Sequence, residues 1–138
     1  MKQTHDYWMK QALIQADKAF KSEEIPVGAV VIKEDKVIGR AYNQREQLND
    51  PTAHAEIQVL RIAAKQQSNY RLVGSTIYVT LEPCAMCLGA MMHARIKRIV
   101  FGASDPKTGV CGSCADLTSE AFFNHRIEVL GGILEKKS

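Results

Sequence analysis

Thr76-Ile77-Tyr78-Val79-Thr80-Leu81 is followed directly by Glu82-Pro83-Cys84-Ala85-Met86-Cys87, and these two segments predict the centre of the fold. The first is β-branched and apolar, which is typical of a strand. The second predicts a helix that begins at Pro83, because proline is favoured at a first helical position, and extends to about Ala94. Residues 98–102 then predict another strand. A strand, a helix and a strand in this order indicate a right-handed crossover and parallel pairing.

Apolar patterns on both sides extend this unit. Residues 27–32 and 37–41 predict two strands that the tight turn Glu34-Asp35-Lys36 joins into a hairpin, and residues 127–130 predict a last strand. Spacings of four predict an amphipathic first helix, whose apolar stripe we assign to the core: Trp8, Met9, Ala12, Leu13, Ala16 and Phe20. The sequence therefore predicts an α/β fold with a mixed sheet of about five strands and helices on both faces.

Three residues have the composition of a catalytic metal site. His54 stands thirty positions before Cys84, and Cys87 follows three positions later. A structural zinc ion usually has four protein ligands, whereas a hydrolytic one has three and leaves a position for water. Both sulfurs would lie on one face of the first helical turn, where the helix N-terminus favours thiolates. We therefore expect His54, Cys84 and Cys87 to bind Zn²⁺.

Glu56 is the predicted catalytic residue. Residues two apart do not share a face of a regular helix, so His54 and Glu56 can converge only near a helix entrance, and Asp50-Pro51 predicts one as an N-cap and a first-turn proline. Zinc lowers the pKa of a bound water to about 7. A carboxylate beside it can pass a proton from that water to a ring nitrogen and a leaving amine, which contributes roughly 10²–10⁴-fold in rate.

Other interpretations of the cysteines remain open. Cys84 and Cys87 could form a structural zinc knot or a redox pair, with His54 a packed core residue, but a redox pair leaves Glu56 without a role. Cys111 and Cys114 form a second Cys-x-x-Cys spacing. No histidine stands at a ligand-like distance from them, so free thiols are favoured and their role stays open.

Composition predicts a single domain spanning residues 1–138. A chain of 138 residues with 46% hydrophobic content can bury roughly two thirds of its unfolded surface. The first residues lack the apolar core of a signal peptide and no stretch is long enough to span a membrane, so we expect a cytoplasmic protein. The net charge is only +3, and it does not by itself require a nucleic-acid partner.

Two longer segments identify a family. Asn49-Asp50-Pro51-Thr52-Ala53-His54-Ala55-Glu56 and Thr80-Leu81-Glu82-Pro83-Cys84-Ala85-Met86-Cys87 resemble the bacterial tRNA-specific adenosine deaminases of the cytidine deaminase superfamily, and the resemblance extends over about residues 8–134. It implies a three-layer α/β/α cytidine-deaminase-like fold. It also implies hydrolytic deamination of adenosine to inosine at the wobble position of a tRNA anticodon, by zinc-bound hydroxide with Glu56 as the proton shuttle.

The resemblance further implies partners. The anticodon loop of tRNA would be the substrate, and no membrane is involved. Family members form homodimers through the region around the predicted helix that contains Cys84 and Cys87, the cysteine helix. Met86, Met91 and Met92 beside it would suit a buried interface, although methionines are as often ordinary core residues. Members also continue beyond residue 134 into a helix that helps to hold tRNA, whereas this sequence ends at Ser138. Either the sequence is truncated or the protein holds its substrate differently, so the expectation is reduced RNA affinity with the zinc chemistry intact.

The resemblance assigns one residue to reading the base and another to the surrounding nucleotides. Asn43 stands where the family reads the adenine, although a loop asparagine also commonly caps a turn. Asp105 lies in a loop that approaches the ribose and the flanking nucleotides in the family, and an Asp before Pro is equally an ordinary turn residue.

The remaining substrate contacts implied by the resemblance form the pocket itself. Val27, Ala53 and Leu81 would form its walls, and the backbone N–H of Ala55 would bond the base.

Two rival functions remain open. The same metal site could deaminate a free nucleobase or nucleoside of the guanine or cytosine type. A non-catalytic, zinc-stabilised RNA-binding module is the other, and the intact His-x-Glu pair argues against it.

Overall fold

The structure is a computed structural model that describes residues 2–138. It contains three α-helices, five strands and a short 3₁₀ turn over Glu135–Lys137. In chain order the elements are α1 (His5–Lys21), β1 (Gly28–Lys33), β2 (Lys36–Tyr42), α2 (Ala55–Gln67), β3 (Thr76–Leu81), α3 (Ala85–His93), β4 (Arg98–Ala103) and β5 (Glu128–Leu130). None of the helices among the described residues is long and apolar enough to cross a membrane.

The five strands form one mixed sheet in the order β2-β1-β3-β4-β5. β1 pairs antiparallel with β2 and β3, whereas β3, β4 and β5 pair in parallel. The predicted hairpin, the parallel pairing across the cysteine helix and the mixed five-stranded sheet are thus confirmed. β1 and β3 are buried along almost their whole length, as strands covered on both faces are.

The helices lie on both faces of the sheet and bury two apolar clusters. α1 packs on one face, where Trp8, Met9 and Ala12 meet Val30 and Tyr78. The larger cluster lies on the other face, where α2 and α3 cover the alternate strand residues, among them Val31, Ile77, Val79 and Ile99. The architecture is therefore three-layered, α/β/α.

Both helices of the larger cluster begin later than expected. α2 begins at Ala55 with His54 as its N-cap, so the predicted entrance at Asp50-Pro51 is wrong. The Asp50 carboxylate instead accepts hydrogen bonds from the backbone N–H and the hydroxyl of Thr52, at 2.8 and 2.7 Å, and closes a local turn. α3 likewise begins at Ala85 with Cys84 as its N-cap, and Pro83 precedes the helix.

Phe20 was wrongly assigned to the core, since its side chain is 66% exposed. A helix has 3.6 residues per turn, so each step of four residues rotates the position by about 40°. Three such steps separate Phe20 from Trp8, and the accumulated rotation of about 120° carries Phe20 off the face that meets the sheet. The residues of the stripe nearer the start of α1, such as Trp8 and Ala12, are buried as predicted.

Met91 and Met92 are core residues, which is one of the two interpretations that the sequence left open. Both side chains are buried within the chain's own core, so they are not free to form a subunit interface. Only Met86, which is 38% exposed, remains available on the surface of α3.

Gly28 sets the distance between α1 and the sheet. A Cβ atom at Gly28 would lie 2.1 Å from the carbonyl oxygen of Ala12 and 2.3 Å from the amide nitrogen of Ala16, so Gly28→Ala must push α1 away. We expect this substitution to lower the free energy of unfolding by roughly 1–3 kcal/mol, as measured by urea denaturation. Gly89→Ala is the matched control, because nothing lies within 4 Å of its Cβ and alanine favours a helix by about 1 kcal/mol. Equal denaturation midpoints for the two variants would contradict the proposed close packing.

Candidate active site

One end of the sheet collects the ends of four strands. Gly28 at the start of β1 pairs with Tyr42 at the end of β2, and Leu81 at the end of β3 pairs with Ala103 at the end of β4. The N-termini of α2 and α3 line the cavity at this end. The cavity is lined by Ile25, Val27, Asn43, Arg45, His54, Ala55, Glu56, Leu81, Glu82, Cys84, Asp105 and Thr108. Crevices outside the carboxyl ends of strands are common ligand sites in α/β folds.

The structure brings His54, Cys84 and Cys87 together; His54 and Cys84 line this cavity, and Cys87 is buried beside them. Their ligand atoms lie within 4.8 Å of one another, and no other such group occurs among residues 2–138. His54 Nδ1 is 3.8 Å from the Cys84 sulfur and 3.6 Å from the Cys87 sulfur. A nitrogen about 2.0 Å and a sulfur about 2.3 Å from one tetrahedral ion lie about 3.5 Å apart. The three side chains therefore fit a single tetrahedral metal ion.

Local structure explains this convergence. His54 is the N-cap of α2, Cys84 is the N-cap of α3, and Cys87 lies one turn further along α3. A hydrogen bond from the Cys87 thiol, together with His54, lowers the pKa of Cys84 to about 4 despite its partial burial. The same pairing, together with burial, raises the pKa of Cys87, and the hydrogen bond to Cys84 raises the pKa of His54. The arrangement favours a thiolate, which is the form of cysteine that binds metals.

Glu56 lies in the first turn of α2 and lines the same cavity. Its side chain is only 4% exposed. Burial removes water from the carboxylate and raises the pKa of Glu56 to about 7. A carboxyl group in this environment can hold or release a proton near neutral pH, which suits it to general acid–base chemistry.

Asn43 follows β2 and is buried at the cavity wall. Its backbone N–H donates to the carbonyl of Val27 and its side-chain amide donates to the carbonyl of Ile25, at 3.0 and 3.3 Å. The side-chain oxygen Oδ1 is buried and has no hydrogen-bond partner among the described residues. An unpaired buried acceptor costs about 1–3 kcal/mol, so this oxygen is suited to a donor on a ligand.

The expected wall residues divide into two groups. Val27, Leu81 and Ala55 line the cavity, and the N–H of Ala55 has no acceptor within its helix because Ala55 is the first helical residue. Ala53 is fully buried and is not among the lining residues. Its carbonyl instead accepts a hydrogen bond from the backbone N–H of Gln44.

Asp105 lines the cavity from the loop after β4. Its carboxylate accepts from the backbone N–H groups of Lys107 and Thr108 and from the Thr108 hydroxyl. These bonds, first of all that from the Thr108 side chain, lower the pKa of Asp105. Asp105 therefore forms a local turn and borders the cavity at the same time.

Four lining residues were not predicted from the sequence: Ile25, Arg45, Glu82 and Thr108. Glu82 directly precedes Pro83 in the cysteine motif, and that proximity was the only signal for it. Nothing in the local pattern around Arg45 distinguishes it from a surface cation.

Cys111 and Cys114 are both free thiols in this structure. Cys111 is buried, and desolvation followed by the nearby Glu82 carboxylate raises the pKa of Cys111 to about 12. Cys114 is exposed. Neither belongs to a metal-binding group among the described residues.

Comparison with known proteins identifies the family. A family model for MafB19-like deaminases matches residues 3–137. The tRNA-specific adenosine deaminase of Haemophilus influenzae is 52% identical over 130 residues, which is 94% of this chain and 75% of the relative. That of Bacillus subtilis is 45% identical over 132 residues, which is 96% of this chain and 82% of the relative. This chain belongs to the tRNA-specific adenosine deaminase family.

Solved structures agree with this family assignment. A tRNA:A34 deaminase, described for A-to-I editing at the wobble position, superposes with a TM-score of 0.92 and 42% identity over 95% of both chains. A guanine deaminase from Bacillus subtilis superposes with a TM-score of 0.72 and 36% identity, over 74% of this chain and 66% of that one. The fold predicted from the sequence, a cytidine-deaminase-like α/β fold, is thus confirmed.

Proposed function

We propose that this protein converts adenosine to inosine at the wobble position of a tRNA anticodon by hydrolytic deamination. The observation that carries the proposal is the group of His54, Cys84 and Cys87 together with Glu56, which lines the same cavity as His54 and Cys84. Three metal ligands, together with one carboxylate that does not bind the metal, are the composition of a hydrolytic site. The relatives named tRNA-specific adenosine deaminases support adenosine in tRNA as the substrate.

His54, Cys84 and Cys87 would hold the metal ion, and two sulfurs with one imidazole nitrogen suit Zn²⁺. When bound, zinc makes water acidic enough to supply a nucleophile near neutral pH. These three ligands leave the side chain of Glu56 free for proton transfer.

Glu56 would move the protons of the reaction. Its carboxylate takes a proton from the attacking water and gives one to N1 of the adenine ring as the new C6–O bond forms. It then passes a second proton from the new C6 hydroxyl to the amino group, so the C6–N bond breaks, the C6=O bond forms and ammonia leaves. Water and adenosine thus give inosine and ammonia. A carboxyl pKa of about 7 matches both directions of transfer.

Asn43 and Ala55 would orient the base. The unpaired Oδ1 of Asn43 can accept a hydrogen bond from the ligand, while the free N–H of Ala55 can donate one. The bond from the Asn43 amide to Ile25 fixes which end of the side chain faces outward. Val27 and Leu81 supply the apolar wall against which a purine ring can pack.

Arg45 supports a phosphate-bearing substrate over a free nucleobase. It is the only lysine or arginine among the residues that line the cavity. It forms no ion pair within residues 2–138, where the recorded salt bridges involve Lys21, Arg61 and Arg98. An unpaired guanidinium at the cavity is suited to a phosphate of the nucleic-acid backbone.

We therefore expect Arg45→Gln to weaken RNA binding and to reduce its salt dependence. Losing one phosphate contact should reduce the slope of log K against log salt by about 0.7–1. Fluorescence anisotropy with a labelled anticodon stem-loop, over a range of salt concentrations, measures this slope. Arg71→Gln, at an exposed position outside the cavity, is the control. Identical slopes for wild type and Arg45→Gln would contradict the assignment.

The direct test is inosine formation in an anticodon stem-loop that carries adenosine at the wobble position. Product detected by mass spectrometry at that position supports the proposed function. Failure with RNA together with ammonia release from guanine or cytosine would overturn it in favour of a nucleobase deaminase, the alternative suggested by the guanine deaminase neighbour.

We further propose a single domain, a cytoplasmic location and a homodimer. Two apolar clusters on one sheet support a single cooperative unit, which one unfolding transition would verify. The proposed tRNA substrate supports the cytoplasmic location, and cell fractionation would test it. An apolar groove between α2 and α3, lined among others by Leu60, Tyr70 and Ala90, supports the dimer. A monomeric mass in sedimentation equilibrium would contradict it.

A further inference from the structure

Two irregular segments form much of the cavity border. The first, residues 43–50, follows β2 and supplies Asn43 and Arg45. The second, residues 104–113, follows β4 and supplies Asp105 and Thr108. We call them the first and second rim loops. Neither contains a helix or a paired strand beyond one isolated bridge at Cys111, so other contacts must hold them in place.

Glu82 holds the second rim loop. Its side chain is 2% exposed, and its oxygen Oε1 accepts a hydrogen bond from the backbone N–H of Asp105 at 3.1 Å and another from the Ser113 hydroxyl. Its Oε2 accepts from the backbone N–H groups of Cys111 and Ser113, at 2.9 and 3.1 Å. Burial alone would raise the pKa of Glu82, but these bonds outweigh it and lower that pKa. The carboxylate thus binds both ends of the loop.

The packing around Glu82 leaves little space. A Cβ atom at Gly109 would lie 2.5 Å from the Glu82 carboxyl carbon and 2.6 Å from the carbonyl oxygen of Asp105. The loop therefore wraps closely around the carboxylate, and glycine permits this approach. Glu82 forms no salt bridge among the described residues. Its side-chain hydrogen bonds are made to the second rim loop instead.

Glu24 holds the first rim loop in the same way. It is 6% exposed and stands between α1 and β1. Its Oε1 accepts from the backbone N–H of Glu46 at 3.2 Å, and its Oε2 accepts from that of Gln47 at 2.7 Å. These two amides directly follow Arg45, so Glu24 restrains the backbone that carries the guanidinium.

We infer that Glu24 and Glu82 are positioning residues that hold the two rim loops in a substrate-ready arrangement. Irregular loops otherwise lose conformational freedom when a ligand binds, and this loss lowers affinity. Carboxylates that accept several backbone N–H bonds remove much of that cost before binding. Neither carboxylate is needed as a metal ligand or proton carrier. The inference rests on the proposed function only in taking an RNA as the molecule that the rim contacts.

Glu24→Gln and Glu82→Gln test the inference with almost no change in volume. An amide replaces one accepting oxygen with a donor, so at least one loop N–H in each variant faces another donor. Hydrogen exchange should accelerate about tenfold or more at the amides of Cys111 and Ser113 in Glu82→Gln, and at those of Glu46 and Gln47 in Glu24→Gln. KM for the stem-loop should rise about tenfold, with kcat changed far less. Zinc content should equal that of the wild type.

Exposed glutamates outside the two rim loops provide controls. Glu23→Gln matches Glu24→Gln, and Glu120→Gln matches Glu82→Gln, and both controls should behave as the wild type does. Ser113→Ala removes only the hydroxyl bond to Glu82 and should give a smaller, local effect. If Glu82→Gln loses exchange protection throughout the chain, it has unfolded, and Ser113→Ala then decides the question.

The outcomes separate this inference from the proposed function. Unchanged loop exchange and unchanged KM in both variants would overturn the inference while leaving the function intact. A wild-type protein that fails to deaminate RNA would overturn the function, whereas local exchange at the four amides would still establish the anchoring.

Discussion

Glu56→Gln is expected to reduce kcat by about 10²–10⁴-fold while the protein keeps its metal. Glutamine fills nearly the same volume in the buried position, so packing against the cavity wall is preserved. It cannot take a proton from water or deliver one to the ring and the leaving amine. His54, Cys84 and Cys87 are unchanged, so metal binding should persist. Single-turnover kinetics with the stem-loop measures the chemical step directly.

Metal content decides how the Glu56 result is interpreted. Inductively coupled plasma mass spectrometry on the same samples should give equal zinc content for Glu56→Gln and the wild type. The exposed Glu120→Gln, treated identically, should retain full kcat. Near-normal turnover of Glu56→Gln would exclude Glu56 as the proton carrier. Loss of zinc in that variant would show that Glu56 supports the metal site instead.

Cys84→Ser is expected to lose both the metal and a large part of the thermal stability. Serine is a favoured N-cap, so it preserves the start of α3 while replacing the thiolate with a far poorer zinc ligand. An ion present at a thousand times its dissociation constant stabilises a protein by about 4 kcal/mol. For a chain of this size, losing that contribution lowers Tm by roughly 10–15 °C. Calorimetry of metal-loaded samples measures the shift.

Two comparisons control for trivial effects of the serine. Cys114→Ser removes an exposed thiol and should change neither Tm nor zinc content. Treating the wild type with a chelator should lower its Tm toward that of Cys84→Ser, because metal binding and folding are coupled. A Cys84→Ser protein with wild-type Tm and full zinc content would show that the metal, if bound, does not use this sulfur.

The regular elements could largely be predicted from the sequence because their signals are local. The bounds of β3 were correct at both ends, since a β-branched, apolar run with a glycine on one side and a proline on the other leaves little freedom. The start of α2 was not predictable in this way. Asp50 can cap a helix or close a turn. Only the folded chain shows that its carboxylate bonds Thr52 and closes a turn. The assignment of Phe20 to the core was wrong because each step of four residues rotates the position around the helix by about 40°.

The candidate site likewise contains residues that could be predicted from the sequence and residues that could not. His54, Cys84 and Cys87 were selected from residue type and spacing, and the structure brings these three together. Glu82 was missed because its partners are 23 to 31 positions away in the sequence and are mostly backbone amides, which no residue pattern displays. Glu24 was missed for the same reason, since it bonds amides 22 and 23 positions later.

The sheet also separates the candidate active site from the exposed surface of α1. No residue that lines the cavity comes from α1, which covers the opposite face. Ile14 and Phe20 on this helix are each more than half exposed. Protein engineers can therefore make them polar to improve solubility, or use the outer surface of α1 for immobilisation, without altering the chemistry on the other face.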